Sequence, residues 1–423
     1  PDGDPASFTF TGTVAGSISD GGNLSFTGSA GVFTTNESAL AGWDVTDIAC
    51  LGATNSTVLI GGTADYVDGD TDVSADVAPG EEINCFYLNT KRSSLTIVKH
   101  LTAVGPAVQD FDFTSDIPGH DAFTLSPVDA STDDELVVLD LEPGLYAVSE
   151  ADPTLDGWAL INASCSDGSP VSGILVNPGE TLTCTFNNAP LGSTTIVKNS
   201  VGGNGQFDFS WGTIANANVP VGEAASFSLT TPGPTSTRDY TNKLLINDAY
   251  DLTETDSPAP VGPFLHTWNL SDTTCIDASG DTTFNPGENG ADATISADSV
   301  ETVACTFTNT LDGTLVIRKQ TIPDQNAQSF AFTGTTPGLT GSLQDYDIAS
   351  AELSHTGQPG INESTETVPA GWALTDISCT GATNSTVLIG GTADFVANDT
   401  DVSVDVAAGE TVICTFTNNM QCS

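Results

Sequence analysis

The chain has 423 residues, 38 % of them hydrophobic, with 42 Gly and 22 Pro. Eight Lys and Arg stand against 55 acidic residues, a net charge of −47 that excludes the basic face phosphate-backbone recognition requires. No apolar run approaches the ~20 residues of a membrane-spanning helix, and no window sustains a helical apolar period, so the composition points to short strands joined by tight turns.

Regularly spaced aromatics and alternating segments argue against disorder despite the charge. Asp outnumbers Glu and Lys is scarce. That balance suits high-salt or divalent-rich water, but solubility alone is the stronger account of it. Self-comparison gives the organisation: residues 52–65 and 381–394 are the same fourteen residues, GATNSTVLIGGTAD. A looser pattern divides the chain into four units, each with a strand ending in Lys, an F-x-F strand, a Glu-bearing strand, a Trp strand leading to a Cys, and a closing C-x-F-x-N strand.

Unit one, 1–91, has Phe8-Thr9-Phe10, Glu37, Trp43, Cys50, and a loose closing copy, Cys85-Phe86-Tyr87-Leu88-Asn89. Its Lys-bearing first strand is missing, because Pro1 lies where that strand should end. Unit two, 92–190, opens with Leu95-Thr96-Ile97-Val98-Lys99 and continues through Phe111-Asp112-Phe113, Tyr146 to Glu150, Trp158, Cys165 and Cys184 to Asn188. Unit three, 191–310, is the longest and repeats the order with Ile196, Lys198, Phe207, Phe209, Tyr250 to Glu254, Trp268, Cys275 and Cys305 to Asn309. Unit four, 311–423, carries Lys319, Phe330, Phe332, Glu366, Trp372, Cys379 and Cys414 to Asn418, then a short tail with Cys422. Each unit has enough strand candidates for an immunoglobulin-like β-sandwich, and linkers of a few residues favour an extended rod of four tandem all-β domains.

Eight of the nine Cys fall in pairs at matching places: Cys50 with Cys85, Cys165 with Cys184, Cys275 with Cys305, and Cys379 with Cys414. As disulfides, each closes a loop worth ~3 kcal/mol in chain entropy and implies export to an oxidising compartment. Zinc is the rival reading, but His100, His120, His266 and His355 are scattered and no ligand spacing recurs. Cys422 is left for an intermolecular bond, a free thiol or a trimmed terminus. The absence of a signal peptide marks a mature or trimmed form.

Side chains alternate faces along a strand. Leu95, Ile97 and Lys99 therefore share a face, as do Tyr146, Val148 and Glu150, and Cys184, Phe186 and Asn188; unit three repeats this at Lys198, Glu254 and Asn309. A buried Lys beside a buried acid is costly as an ion pair, and burial drives both toward neutrality. A neutral Lys amine can attack the Asn side-chain carbonyl while Glu moves protons, releasing ammonia and leaving a Lys–Asn isopeptide bond. The alternative is an ordinary Lys–Glu ion pair near a sandwich edge.

This pattern resembles the prealbumin-like, collagen-adhesin B-type (CnaB-like) domains of bacterial surface proteins and pilins. The resemblance implies isopeptide bonds from Lys99 to Asn188, Lys198 to Asn309 and Lys319 to Asn418, assisted by Glu150, Glu254 and Glu366. Unit four departs from it, since Asn362 and Ser364 precede Glu366 where an apolar face is expected. Unit one keeps Glu37 and Asn89 without a Lys strand, which exposes an edge for strand addition from another chain and makes Glu37, Asn89 and Cys422 assembly candidates.

Residues 68–72 (DGDTD) and 398–401 (NDTD) resemble fragments of calcium loops but lack the bidentate Glu, and a solvated acidic turn is the competing reading. Glycosylation sequons stand at Asn23, Asn36, Asn55, Asn162, Asn269, Asn362, Asn384 and Asn398. No nucleophile–His–acid set or phosphate loop appears, so the expectation is a non-enzymatic protein without cofactor or metal, extracellular or at the cell surface. The expected role is that of a self-polymerising, head-to-tail filament subunit or stalk. An adhesin holding a host protein or glycan is the alternative, and the extra stretch 256–264 of unit three is the feature that favours it.

Overall fold

A computed structural model of the chain describes residues 3–106, 110–212, 217–246, 248–280, 282–285, 292–298, 301–349 and 351–421. Cys422 lies outside them. The structure is built almost wholly from strands and resolves into two compact units, residues 1–190 and 191–423. No helix is long and apolar enough to cross a membrane.

Repeat four shows the plan most simply. One sheet orders the strands Leu353–Gly357, Gly313–Ile322, Thr411–Met420 and Trp372–Thr380. A second sheet orders Gly341–Leu343, Phe330–Thr333, Gly360–Thr367, Asp401–Val406 and Thr386–Ile389. The opening strand Gly313–Ile322 runs parallel to the closing strand Thr411–Met420 and places Lys319 opposite Phe416. Alternation carries one face of each inward, so Leu315, Ile317 and Lys319 are buried with Val412, Cys414, Phe416 and Asn418. The inward faces enclose a core of Phe330, Phe332, Trp372, Val402 and Val404.

Repeats two and three follow the same plan. The single strand Thr181–Val201 serves both: its first part lies parallel to Ser93–Leu101, and its later part lies parallel to Thr302–Leu311. The expected loops between repeats are therefore shorter than the sequence indicates. Only Arg92 separates the strands Asn84–Lys91 and Ser93–Leu101, and it is held by Asp44 at 2.7 and 2.8 Å. All four Trp strands carry an irregularity at the same point, between Val45 and Asp47, Leu160 and Asn162, Leu270 and Asp272, and Leu374 and Asp376. Beyond it every Cys pair falls in direct cross-strand register, and all four disulfides form as paired above. No Cys among those eight remains for zinc.

Three local expectations change. In repeat two the Glu strand is not continuous: Gly144–Tyr146 pairs with Ile174–Val176, while Val148–Glu150 pairs with Phe111–Ser115. Ala147 breaks the ladder because its N–H donates to the Asp116 carboxylate. In repeat four Asn362 and Ser364 do turn inward with Glu366, since Ser364 donates to the Leu339 carbonyl and Asn362 to that of Gly360. Among the described residues, repeat one lacks two strands of the first sheet, leaving Trp43–Leu51 paired with Asn84–Lys91 alone. The counterpart of Leu353–Gly357 pairs only with an opening strand in repeat four, so without that strand it has no ladder to join. The buried cluster behind these strands shrinks to Ile48, Ile60 and Val73.

Candidate functional site: a buried lysine, glutamate and asparagine in three repeats

The opening strand delivers Lys, the second sheet delivers Glu, and the closing strand delivers Asn to one point in the interior. Lys99, Lys198 and Lys319 are each fully buried. In repeat three Lys198 Nζ donates to Asn309 Oδ1 at 2.7 Å, to the Phe307 carbonyl at 3.1 Å and to the Asn199 carbonyl at 3.1 Å. In repeat four Lys319 Nζ donates to Asn418 Oδ1 at 2.9 Å and to the carbonyls of Phe416 and Gln320. Repeat two is looser: Lys99 reaches the Phe186 carbonyl at 3.2 Å, and Asn188 Oδ1 accepts no hydrogen bond.

Glutamate sits on the other side of each amide. Asn188, Asn309 and Asn418 donate from Nδ2 to Oε1 of Glu150, Glu254 and Glu366 at 2.5, 2.5 and 2.6 Å. The second oxygen, Oε2, accepts no hydrogen bond and faces the amine at 3.6 Å in repeat two, 3.4 Å in repeat three and 4.0 Å in repeat four. Each carboxylate thus bridges the amine and the amide nitrogen, with its free lone pairs toward the amine.

Burial lowers all three ammonium groups to about 8, while attraction to the neighbouring Glu pulls the other way. Burial raises Glu150, Glu254 and Glu366 above the usual carboxylate range, opposed by the same Lys. A proton passing from Nζ to Oε2 therefore leaves two neutral groups that suit the apolar surroundings. The first aromatic of each F-x-F motif supplies part of those surroundings. Phe111, Phe207 and Phe330 lie beneath the amines, 4.6, 4.3 and 4.4 Å from Nζ to ring centroid. The motif is visible in the sequence, but its place under the Lys is not. In repeat three a cavity of about 430 Å3, lined by Glu254, Asp256, Trp268 and Asn269, adjoins the site.

Repeat one keeps two of the three groups. Glu37 is 3 % exposed and accepts Asn89 Nδ2 at 3.2 Å, and burial raises its carboxyl against that hydrogen bond. Lys91, two residues beyond Asn89, instead binds Asp4 at 2.9 Å.

The remaining candidates stand apart. Asp70 and Asp399, in the two acidic turns, accept the backbone N–H groups of Val67 and Val396 and so close those turns locally. Among the described residues, the carboxylates grouped closely enough to share an ion are Asp324, Asp345 and Asp347, outside both turns. Asn23, Asn36, Asn55, Asn162, Asn384 and Asn398 are exposed and Asn269 half-buried. Asn362 is 6 % exposed with its amide engaged, so a glycan does not reach it in the folded chain.

Comparison with known families gives matches to prealbumin-like fold domains over residues 2–91, 194–311 and 315–420, and to a second profile of the same description over 91–186. No curated protein matches the chain. Similar solved structures include the Bacillus anthracis TIE protein, at 14 % identity and TM-score 0.23, covering 100 % of this chain and 67 % of that one. The pilus adhesin SpaC from Lactobacillus rhamnosus GG is 10 % identical with TM-score 0.27, covering 93 % of this chain and 56 % of SpaC. BcpA, the major pilin subunit of Bacillus cereus, is 12 % identical with TM-score 0.27, covering 78 % of this chain and 100 % of BcpA. With profile matches running from residue 2 to residue 420, the chain belongs to the prealbumin-like fold domain family.

Proposed function

We propose that the protein is a secreted structural subunit of an extracellular filament or surface stalk, of the pilus type, stabilised by self-made Lys–Asn isopeptide bonds. It comprises four domains, 1–91, 92–190, 191–310 and 311–423, and assembles head to tail, with strand addition at the incomplete first domain. The carrying observation is the threefold recurrence of one geometry: a buried Lys amine against an Asn side chain whose amide nitrogen is held by a buried Glu. Four disulfides support an oxidising, extracellular setting.

The chemistry balances within each site. The ammonium gives one proton to Glu Oε2. The neutral Nζ attacks Asn Cγ, forming the C–N bond. The amine's second proton passes by way of Glu to Nδ2, the Cγ–Nδ2 bond breaks, and ammonia leaves. The bond joins the opening strand to its parallel neighbour, the closing strand, so pulling the chain ends loads a covalent link rather than a hydrogen-bonded ladder. The test is proteolysis of the reduced chain followed by fragment sequencing. Linked peptides joining Lys99 to Asn188, Lys198 to Asn309 and Lys319 to Asn418 are expected; separate, unlinked peptides carrying these residues would refute the proposal.

A further inference from the structure

Repeat four carries a second buried carboxylate beside its lysine. Asp345 is fully buried and bound to Thr321. Its Oδ2 accepts the Thr321 N–H at 2.8 Å and the Thr321 hydroxyl, and its Oδ1 accepts the Asp347 N–H at 3.0 Å. Thr321 follows Lys319 by two places on the opening strand, so both side chains face inward. The Asp345 carboxylate therefore closes the interior just beyond the amine.

The other repeats fill this place differently. Leu101, Ser200 and Thr321 stand opposite Asn188, Asn309 and Asn418 in the same register. Leu101 is apolar, and Ser200 donates to the hydroxyl of the fully buried Thr231. Repeats two and three thus set one ammonium against one carboxylate, Lys99 with Glu150 and Lys198 with Glu254. Repeat four sets Lys319 against Glu366 and Asp345, and both negative charges hold the ammonium in its charged form against burial.

The two carboxylates are not equivalent. Glu366 Oε2 accepts no hydrogen bond and faces Nζ at 4.0 Å. Both oxygens of Asp345 are already engaged as acceptors, so Asp345 acts through its charge and Glu366 takes the proton. That transfer removes the cation offsetting Asp345 and leaves a buried anion, a cost absent from repeats two and three.

We infer that Asp345 acts through Lys319 as a positioning residue that retards cross-linking in repeat four, so that this repeat closes after repeats two and three. This rests on the cross-linking chemistry proposed above and sets its order. The bonds are unchanged: Nζ joins Asn418 Cγ, the Cγ–Nδ2 bond breaks, and ammonia leaves. Glu366 keeps one amine proton and passes the other to Nδ2, while Asp345 neither gains nor loses one. Around Lys319 the second sheet contributes Glu366, and Asp345 is backed by Asp324 and Asp347, with carboxylate oxygens within 4.8 Å of one another. Arg318 is held by Glu352 at 3.0 Å, and His355 stands opposite Leu315, further down the strand.

The full chain, recovered reduced in denaturant, is refolded into oxidising buffer with EDTA, and quenched samples are digested to quantify each linked peptide against time. The Cys379–Cys414 disulfide in the same samples reports folding of repeat four. The Lys319–Asn418 link trails the Lys198–Asn309 link about tenfold in rate. Asp345→Asn keeps an acceptor for Thr321, removes the charge, and speeds the repeat-four link about tenfold while leaving repeat three unchanged. The rate falls on the alkaline side as the proton shared by Lys319 and Glu366 is lost. Without the Asp345 charge that proton is held less tightly, so the fall moves about one pH unit lower; a packing role alone would not move it. Where Asp345→Asn does not form the Cys379–Cys414 disulfide, Thr231→Asp is the second arm and slows the repeat-three link about tenfold. A wild-type chain whose repeat four links as fast as repeat three overturns the inference. So does an Asp345→Asn chain with the disulfide formed but its rate or pH profile unmoved, or an unslowed Thr231→Asp. In each of these cases the links themselves still form and the cross-linking proposal stands. If no linked peptide appears in any repeat, the cross-linking proposal fails and takes the inference with it.

Discussion

A fully buried lysine leaves bulk water only where its charge is matched or removed, and this protein buries three of its five lysines. Around Lys198 the Glu254 carboxylate is placed to match the charge, and in the proposed reaction it then accepts the proton. Replacing Glu254 by Gln removes the shuttle and leaves the ammonium uncompensated. Repeat three of Glu254→Gln should keep its ammonia, about 17 Da more than the linked form, and should lose about 3–5 kcal/mol of stability. Mass and denaturant unfolding check both; an unchanged ammonia loss would show that another group moves the proton. Glu37 gives the pH test. Burial raises its carboxyl above the model-compound value of 4.5, so the folded chain holds a proton there that the unfolded chain has released. Its contribution is fully present below pH 4.5 and is lost as pH rises through the elevated folded value. Repeat one should be most stable on the acid side of that window, and Glu37→Gln should flatten the trend in hydrogen exchange of the Gly31–Glu37 amides.

The closing strand ties to the Trp strand through its Cys in every repeat, and in repeats two to four its Asn also faces the opening Lys. In repeat two these are Cys184, bonded to Cys165, and Asn188. The double replacement Cys165→Ala, Cys184→Ala opens a 19-residue separation and should lower stability by about 3 kcal/mol. A non-reducing melt showing no loss would mean that the strand is held by other contacts alone. Alternation made much of this legible from sequence: Lys99, Ile97 and Leu95 had to share a face, and so did Cys184, Phe186 and Asn188. Other features depend on contacts between distant segments. Asp116 interrupts the Glu strand at Ala147, 31 residues away, and Ser364 turns inward because the Leu339 carbonyl accepts its hydroxyl. The second missing strand of repeat one follows from a ladder partner rather than from its own residues.

Across the whole molecule, the repeats keep one interior while their surfaces accumulate a net charge of −47. Such self-repulsion opposes compactness, more so at low salt, and the four disulfides oppose it in turn. Intact mass of the oxidised chain tests this account most directly. Beyond the hydrogens lost to four disulfides, the account predicts three further losses of about 17 Da, one each at Lys99, Lys198 and Lys319. A mass lowered by the disulfide hydrogens alone would contradict it.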